Sequence, residues 1–344
     1  MPIDAAIARS SNAVEPFLIL VTGGAGFIGS NLVAALSERG VAVAVCDRLR
    51  RQDKWRNLAK TEIRELIAPE ALAGWLGTHA ESVETIVHLG AISSTTETDI
   101  DLVVEVNFRL SWFLWQWAAS HGKRFIYASS AATYGTGEQG FADDVRPAEL
   151  ARLKPLNAYG WSKHLFDRRV ARAIAEGEGS PPQWAGLKFF NVYGPNEYHK
   201  GAMQSVVALK YPSAAAGHAV TLFKSYQREY VDGGQKRDFI FVRDCAEVII
   251  WLLEHRSVTG IFNVGSGEAR SFNDLAQILF RVVGRPSQIE YIDMPEAIRR
   301  NYQYFTQASL ERLRAAGFTR AFTSLEDGVQ QYVERHLARP DRYS

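Results

Sequence analysis

Cysteine is scarce in this chain: of 344 residues only Cys46 and Cys245 carry a thiol, and both stand in apolar stretches that read as buried elements. Two thiols so spaced make neither a disulfide framework nor a zinc site, which predicts a reducing compartment, the cytoplasm. Eight histidines are scattered with no H-E-x-x-H or carboxylate cluster around them, so no metal is expected. Charge of one sign is lacking too. A formal net charge of +1 without a long basic run supplies no field for DNA, RNA or an acidic membrane, and neither nucleic acid nor membrane is an expected partner. Residues 1–16 hold Asp4, Arg9 and Glu15 and no unbroken apolar core, so they read as a flexible N-terminal extension rather than a signal or a span. Internal repeats and low-complexity segments are also missing.

What is present is a globular composition, 47% hydrophobic and 22% charged, in a chain long enough for two folding units that act on small molecules. From Phe17 to Thr22 runs an apolar strand, Ser30 to Arg39 is helical, and Val41 to Cys46 is a second apolar run. Buried-strand candidates follow at Thr85–Leu89, Arg124–Ala128 and Ala185–Phe190, separated by helical periodicity such as Leu102–Ser120. Alternating strands and helices predict an α/β fold, a doubly wound parallel Rossmann sheet with a smaller C-terminal substrate-binding lobe. Residues 17–190 plus about 236–268, including a strand at Asp238–Val242 and a helix at Cys245–His255, are assigned to the dinucleotide-binding domain. The lobe takes 191–235, where loops replace the alternation, and about 269–344. Trp112, Trp115 and Trp117 with Phe108 and Phe113 make one helix aromatic, which predicts core packing, and Asp143-Asp144 reads as a solvated loop.

Between the first strand and first helix lies Thr22-Gly23-Gly24-Ala25-Gly26-Phe27-Ile28-Gly29, with Gly24, Gly26 and Gly29 at G-x-G-x-x-G spacing. Glycine at Gly23, Gly26 and Gly29 permits a tight turn, brings backbone N–H groups to a pyrophosphate and lets the helix pack closely on the sheet. Asp47 ends the second strand, where an acid typically holds the adenosine ribose of NAD. Arg48, Arg50, Arg51 and Lys54 crowd the next turn, either as a solvated basic loop or as cations for the 2′-phosphate of NADP. NADP is the favoured cofactor, with NAD the alternative.

Tyr159-Gly160-Trp161-Ser162-Lys163 places a tyrosine and a lysine one helical turn apart on one face. A phenol with an ordinary pKa of about 10 is a poor base at neutral pH. A neighbouring ammonium and a positive nicotinamide ring favour its phenolate, which then takes a hydroxyl proton as hydride leaves the same carbon. Upstream, Tyr127-Ala128-Ser129-Ser130-Ala131-Ala132-Thr133-Tyr134-Gly135 ends a strand at the sheet edge where such folds bind ligands, so Ser130, or Thr133 in its place, is set to hydrogen-bond the reacting hydroxyl.

The glycine turn, the Ser-Ser-Ala strand end and Tyr-x-x-x-Lys together resemble the extended short-chain dehydrogenase/reductase family, from about Phe17 to the C-terminal region. Ser93-Ser94-Thr95-Thr96-Glu97, Phe190-Asn191-Val192-Tyr193-Gly194-Pro195, Phe305-Thr306-Gln307-Ala308 and above all His199-Lys200-Gly201 with Met203 are similar to its nucleotide-sugar epimerases. The resemblance implies C6 inversion of an ADP-activated heptose for lipopolysaccharide core assembly, by a homo-oligomer, a pentamer in that branch. It gives Lys200 an acid/base role beside Tyr159. It further implies that Phe27, Ile28, Asp47, Arg48, Lys54, Leu89, Gly90, Ala91, Ile92, Ser93, Asn107, Lys163, Val192 and Lys200 contact cofactor. Asn191, Ala202, Phe223, Lys224, Ser225, Tyr226, Arg237 and Tyr302 are implied on the sugar side. Arg237 suits a pyrophosphate by bidentate geometry, or else pairs with Asp238 or Asp244. Departures also fall on that side: Ala202 replaces a serine, Leu209 a histidine, and Tyr226–Gln235 is longer than the family pattern.

Other readings remain distinguishable. Dehydratases of this family carry an Asp-Glu pair just after the position of Ser130; Ala131 and Ala132 stand there and disfavour elimination. A UDP-hexose 4-epimerase shares the chemistry, and a non-catalytic NADP-binding regulator would need no Tyr159–Lys163 pair.

Overall fold

The computed structural model describes residues 17–50, 53–299 and 302–344; the N-terminal extension and Arg51 lie outside these. Twelve strands occur among the described residues: β1 (Leu18–Thr22), β2 (Ala42–Cys46), β3 (Glu65–Ile67), β4 (Val83–His88), β5 (Arg124–Ser130), β6 (Trp184–Phe189), β7 (Asn191–Tyr193), β8 (Val220–Phe223), β9 (Lys236–Phe241), β10 (Gly260–Val264), β11 (Ala269–Ser271) and β12 (Ile289–Ile292). Seven of them form a parallel sheet in the order β10-β6-β5-β4-β1-β2-β3. The doubly wound Rossmann architecture is therefore present.

The strands are continuous apolar runs because helices cover both faces, and successive residues serve opposite cores. Ile19 and Val21 point to one cluster with Leu32, Val33, Val248 and Ile249. Leu20 and Ala44 point to the other, with Trp115, Phe125, Tyr127 and Phe166. Burying each such large side chain contributes roughly 1.5–3 kcal/mol, so both layers are needed to hold the sheet. Helix α1 (Phe27–Glu38) packs against α4 (Val242–Glu254), while α2 (Leu110–Ser120) and α3 (Ala158–Ala175) cover the second face. The helical run read from Leu102 begins at Ile100 and contains a π segment, Glu105–Arg109. Of the aromatic residues expected in the core, Trp115 is fully buried and Trp117 nearly so, but Trp112 and Phe108 are half-buried and Phe113 is exposed.

The smaller lobe is built on a three-stranded sheet, β11-β9-β7, and a two-stranded one, β12-β8, with α5 (Phe272–Val282) packed among them. Here two expectations change. The strand placed at Asp238–Val242 in the dinucleotide domain joins the small sheet instead, because β9 pairs antiparallel with β11 and parallel with β7. Only the helix after it returns to α1, and β10 beyond that closes the large sheet. Asp143, read as solvated, is buried: its carboxylate accepts the Asn263 backbone N–H at 2.8 Å, while Asp144 pairs with Arg146 in the exposed way expected. Both cysteines are free and buried.

Candidate active site

The glycine turn closes tightly. Gly23 adopts φ +69°, and a Cβ on Gly29 would collide with the Gly23 carbonyl oxygen, so neither position tolerates a side chain without backbone movement. Helix α1 starts from Gly26 with no side-chain cap and no acidic residue in its first turn. Its leading N–H groups and positive end are thus left for an anion, which fits the pyrophosphate of a dinucleotide. The Cβ-free cradle is the observation that makes the fit.

Asp47 is not a free ribose acceptor. Its Oδ2 accepts the Ala25 N–H of the turn at 2.9 Å, and its Oδ1 accepts the Lys54 ammonium and the Arg48 N–H, each at 2.6 Å. The Arg48 guanidinium bonds Glu70 on the surface. Across the strand ends, Leu89 N–H donates to the Thr22 carbonyl at 3.0 Å and Gly90 N–H to the Thr22 hydroxyl at 3.3 Å, setting the Leu89–Ser93 loop beside the turn. Asn107 is wholly buried and bonds Ile92 twice, accepting its N–H at 2.8 Å and donating to its carbonyl at 2.9 Å. The same amide donates to the Ser162 hydroxyl at 2.9 Å, so Asn107 braces the loop against α3.

Asn157 caps α3, accepting the Gly160 N–H at 2.8 Å, and so fixes the turn that carries Tyr159. Gly160 lets this helix approach the strand end: a Cβ there would lie 2.7 Å from the Ala132 carbonyl oxygen. Across that contact the Tyr159 phenol stands near Ser130. Burial pushes the phenol up, and the neighbouring Ser130 hydroxyl opposes the shift. The phenol therefore needs positive charge beside it to work as a base. Lys163, one turn on, donates to the Ala128 carbonyl at 2.8 Å, and burial pulls its ammonium down to about 8 against the attraction of Asp167.

Of the two hydroxyls at the strand end, Ser130 accepts the Ala132 N–H at 3.1 Å while Thr133 turns inward. Thr133 is fully buried, donates to the Ser130 carbonyl at 2.8 Å and accepts from Lys188 at 2.6 Å, so it is committed to the interior.

Lys200 lies in the 3₁₀ segment Tyr198–Met203, its ammonium 5.0 Å from the centre of the Phe27 ring. Burial lowers its pKa and Glu197 opposes the shift. The chain before it is anchored by Asn196, which is buried at φ +72° and donates to the Ser30 hydroxyl at 3.1 Å and the Ser344 hydroxyl at 2.7 Å. Asn31 holds the Pro195 carbonyl at 3.0 Å and Asn57 the Asn196 carbonyl, also at 3.0 Å. Lys200 is thereby brought to the glycine turn from the far side of the sequence.

On the sugar side, Arg237 is buried on β9, where Nη1 donates to the Lys236 carbonyl at 2.9 Å and the guanidinium stands 5.0 Å from the Tyr302 ring centre and 5.6 Å from that of Phe272. Neither nearby acid neutralises it. Asp238 accepts from Ser266, Gly267 and Ala308, and Asp244 from Thr323. Phe223 meets Tyr302 edge-on, while Lys224 and Tyr226 join Asp293 in a surface cluster tied to this group through Tyr304. Ser225 donates its N–H to Asp232 at 2.7 Å. Asn191 and Ala202 are exposed and Val192 is half-buried.

Sequence reasoning missed Asn157, Asn196 and the buried pair Asp167–Lys188. Two signals were available: an aspartate four residues after Lys163, and a lysine inside the apolar run of β6.

A Rossmann sheet with a dinucleotide cradle and a Ser–Tyr–Lys site at its edge defines a nicotinamide-dependent short-chain dehydrogenase/reductase. The chain belongs to the NAD dependent epimerase/dehydratase family, whose profile matches residues 19–265. It is 44% identical over 335 residues to the ADP-L-glycero-D-manno-heptose-6-epimerase of Fusobacterium nucleatum, covering 95% of this chain and 100% of the relative. The enzyme of the same name from Nitratidesulfovibrio vulgaris strain DP4 is 48% identical over 329 residues, with 95% and 100% covered. In three dimensions it resembles the Helicobacter pylori ADP-L-glycero-D-manno-heptose-6-epimerase, with a TM-score of 0.75 at 30% identity over 93% of this chain and 96% of that one. The Thermus thermophilus UDP-glucose 4-epimerase in complex with NAD gives 0.72 at 27% identity, covering 92% and 98%. Among the described residues no cluster suits a metal ion, and no helix is long and apolar enough to cross a membrane.

Proposed function

We propose that this protein interconverts ADP-D-glycero-β-D-manno-heptose and ADP-L-glycero-β-D-manno-heptose by transient oxidation at C6 of the heptose, as a homo-oligomeric enzyme of lipopolysaccharide core synthesis. The observation that carries this reading is the 44 and 48% identity to heptose 6-epimerases over 95% of the chain. The nicotinamide, when bound, accepts a hydride from C6 and returns it, so there is no net redox change. Ser130 holds the C6 hydroxyl while Tyr159 takes its proton, leaving a ketone. The Lys163 ammonium stabilises the phenolate. Once the carbonyl has turned over, its oxygen must regain a proton from a second direction. Lys200, desolvated beside Phe27, serves there. Arg237, with no carboxylate partner among the described residues, grips the pyrophosphate beside Tyr302. Ala131 and Ala132, lacking acid groups, support epimerisation over elimination.

NADP is favoured because the Asp47 carboxylate is already committed to Ala25 and Lys54, so the 2′ position of the adenosine ribose meets no free acid beside the basic turn. The test is incubation of the NADP-loaded protein with ADP-D-glycero-β-D-manno-heptose and separation of the products. The L-glycero epimer is expected. Conversion of a UDP-hexose with no heptose epimer formed overturns the proposal.

A further inference from the structure

Beneath the reacting groups lies an ion pair with no part in the chemistry described above. Lys188 on β6 and Asp167 on α3 meet at 2.8 Å with both side chains wholly shielded from solvent. Such a pair is expensive to desolvate, and well-packed apolar residues are often as stable or more so, so stability alone gives no reason for it. Its other contacts do. Asp167 accepts the Ser129 hydroxyl at 2.7 Å and the Tyr127 hydroxyl at 3.0 Å, clamping β5 to α3 directly before Ser130. Lys188 donates to the Thr133 hydroxyl at 2.6 Å, and Thr133 donates to the Ser130 carbonyl. Asp167 also stands one turn beyond Lys163, on the same helix. One ion pair thus grips the strand that presents Ser130 and the helix that presents Tyr159 and Lys163.

We propose that the buried Lys188–Asp167 pair is the positioning element of the proton-transfer site, fixing Ser130 against Tyr159 and setting a carboxylate one turn from Lys163 on α3. The surroundings leave few competing charges. His88 on β4 and His164 on α3 are held neutral by burial, their pKa values drawn down to about 3 and about 4. Tyr127 on β5 and Tyr134 in the Ala131–Tyr134 turn are pushed far up by burial and stay neutral. Arg168 adds a cation on the same helix. Desolvation lowers the Lys163 ammonium, and Asp167 is the group whose attraction opposes that shift.

The proposal rests on the assignment of proton transfer to Ser130, Tyr159 and Lys163, but its primary readout does not need the sugar to be known. Lysine-labelled NADP-bound protein is titrated by NMR, with the Lys163 Cε resonance assigned by its absence in Lys163→Met. In the double variant Asp167→Asn/Lys188→Met, which leaves no unpaired charge to disrupt folding, the Lys163 midpoint is expected to fall by a half pH unit or more. Epimerisation by the same variant is expected to lose at least tenfold in kcat, with KM within about threefold. Lys188→Arg, which keeps the charge opposite Asp167, is expected to recover most of both. A folded double variant with an unmoved Lys163 midpoint and unchanged kcat overturns the proposal. If the unmodified protein produces no heptose epimer, the functional reading fails, while the titration still decides the role of the pair.

Discussion

Replacing Gly160 with alanine tests whether the site depends on how closely α3 approaches the end of β5. The added Cβ would stand 2.7 Å from the Ala132 carbonyl oxygen, where ordinary contact begins at 3.4 Å. Since that neighbour is backbone, the helix or the turn must yield by about 0.7 Å, the difference between those distances. The shift falls between Tyr159, next in sequence to Gly160, and Ser130, two residues before Ala132. A misplacement of about 1 Å in a catalytic constellation can cost on the order of 100-fold, so kcat is expected to fall roughly 10- to 100-fold, about 1.4–2.7 kcal/mol of barrier. Stability should change much less. Overpacking costs about 1–3 kcal/mol, and alanine returns up to about 1 kcal/mol of helix propensity. Steady-state epimerisation, thermal unfolding and NADP binding are measured together. Loss of turnover with a melting point a few degrees lower and intact cofactor affinity supports the close-approach argument. A kcat within threefold of the parent refutes it.

Three further outcomes follow from the same geometry. Tyr159→Phe keeps the ring and removes only the buried hydroxyl near Ser130; product chromatography should show turnover reduced by about 10²–10⁴-fold, with a stability loss near 1 kcal/mol. Lys163→Met should abolish turnover without lowering stability at pH 7. In the parent, burial draws the ammonium from 10.5 to about 8, so between these values the unfolded chain binds more protons and stability rises with pH. Chemical denaturation at pH 7 and pH 10 should find that rise in the parent and not in the variant. Arg237→Ala removes the cation stacked between Tyr302 and Phe272 and should raise KM for the ADP-sugar by roughly 10- to 100-fold while kcat changes little, in line with about 1.5–3 kcal/mol for a charged hydrogen bond.

The large sheet was legible because its strands are buried on both faces. Leu18–Thr22 and Ala42–Cys46 read as unbroken apolar runs, and their ends fall within a residue of those expected. The strand at β9 was equally visible, yet its membership was not, since a run of apolar residues does not name its partner. Its pairing with β11 on one side and β7 on the other places it in the small sheet. Local spacing exposed Tyr159 and Lys163, which share a helical turn. Asp167 and Lys188 are 21 residues apart on different elements, so the ion pair exists only after α3 has packed on the sheet. Asp143 misled for a similar reason: beside an exposed Asp144, nothing local shows that the Asn263 N–H waits for its carboxylate. Ser130 and Thr133 were separable only by burial.

The lock on Pro195–Asn196 bears on what has to move during turnover. Through Ser30, Asn31 and Asn57 it fastens the chain just before Lys200 to the body that also carries Tyr159, so the two groups proposed to handle the proton are set on one framework. If the proposed reaction runs here, the protein acts as a stator. Stereochemical choice in that proposal becomes a matter of torsion within the ligand, with its pyrophosphate held at Arg237 as the pivot and the heptose side arm swinging between two stationary poles.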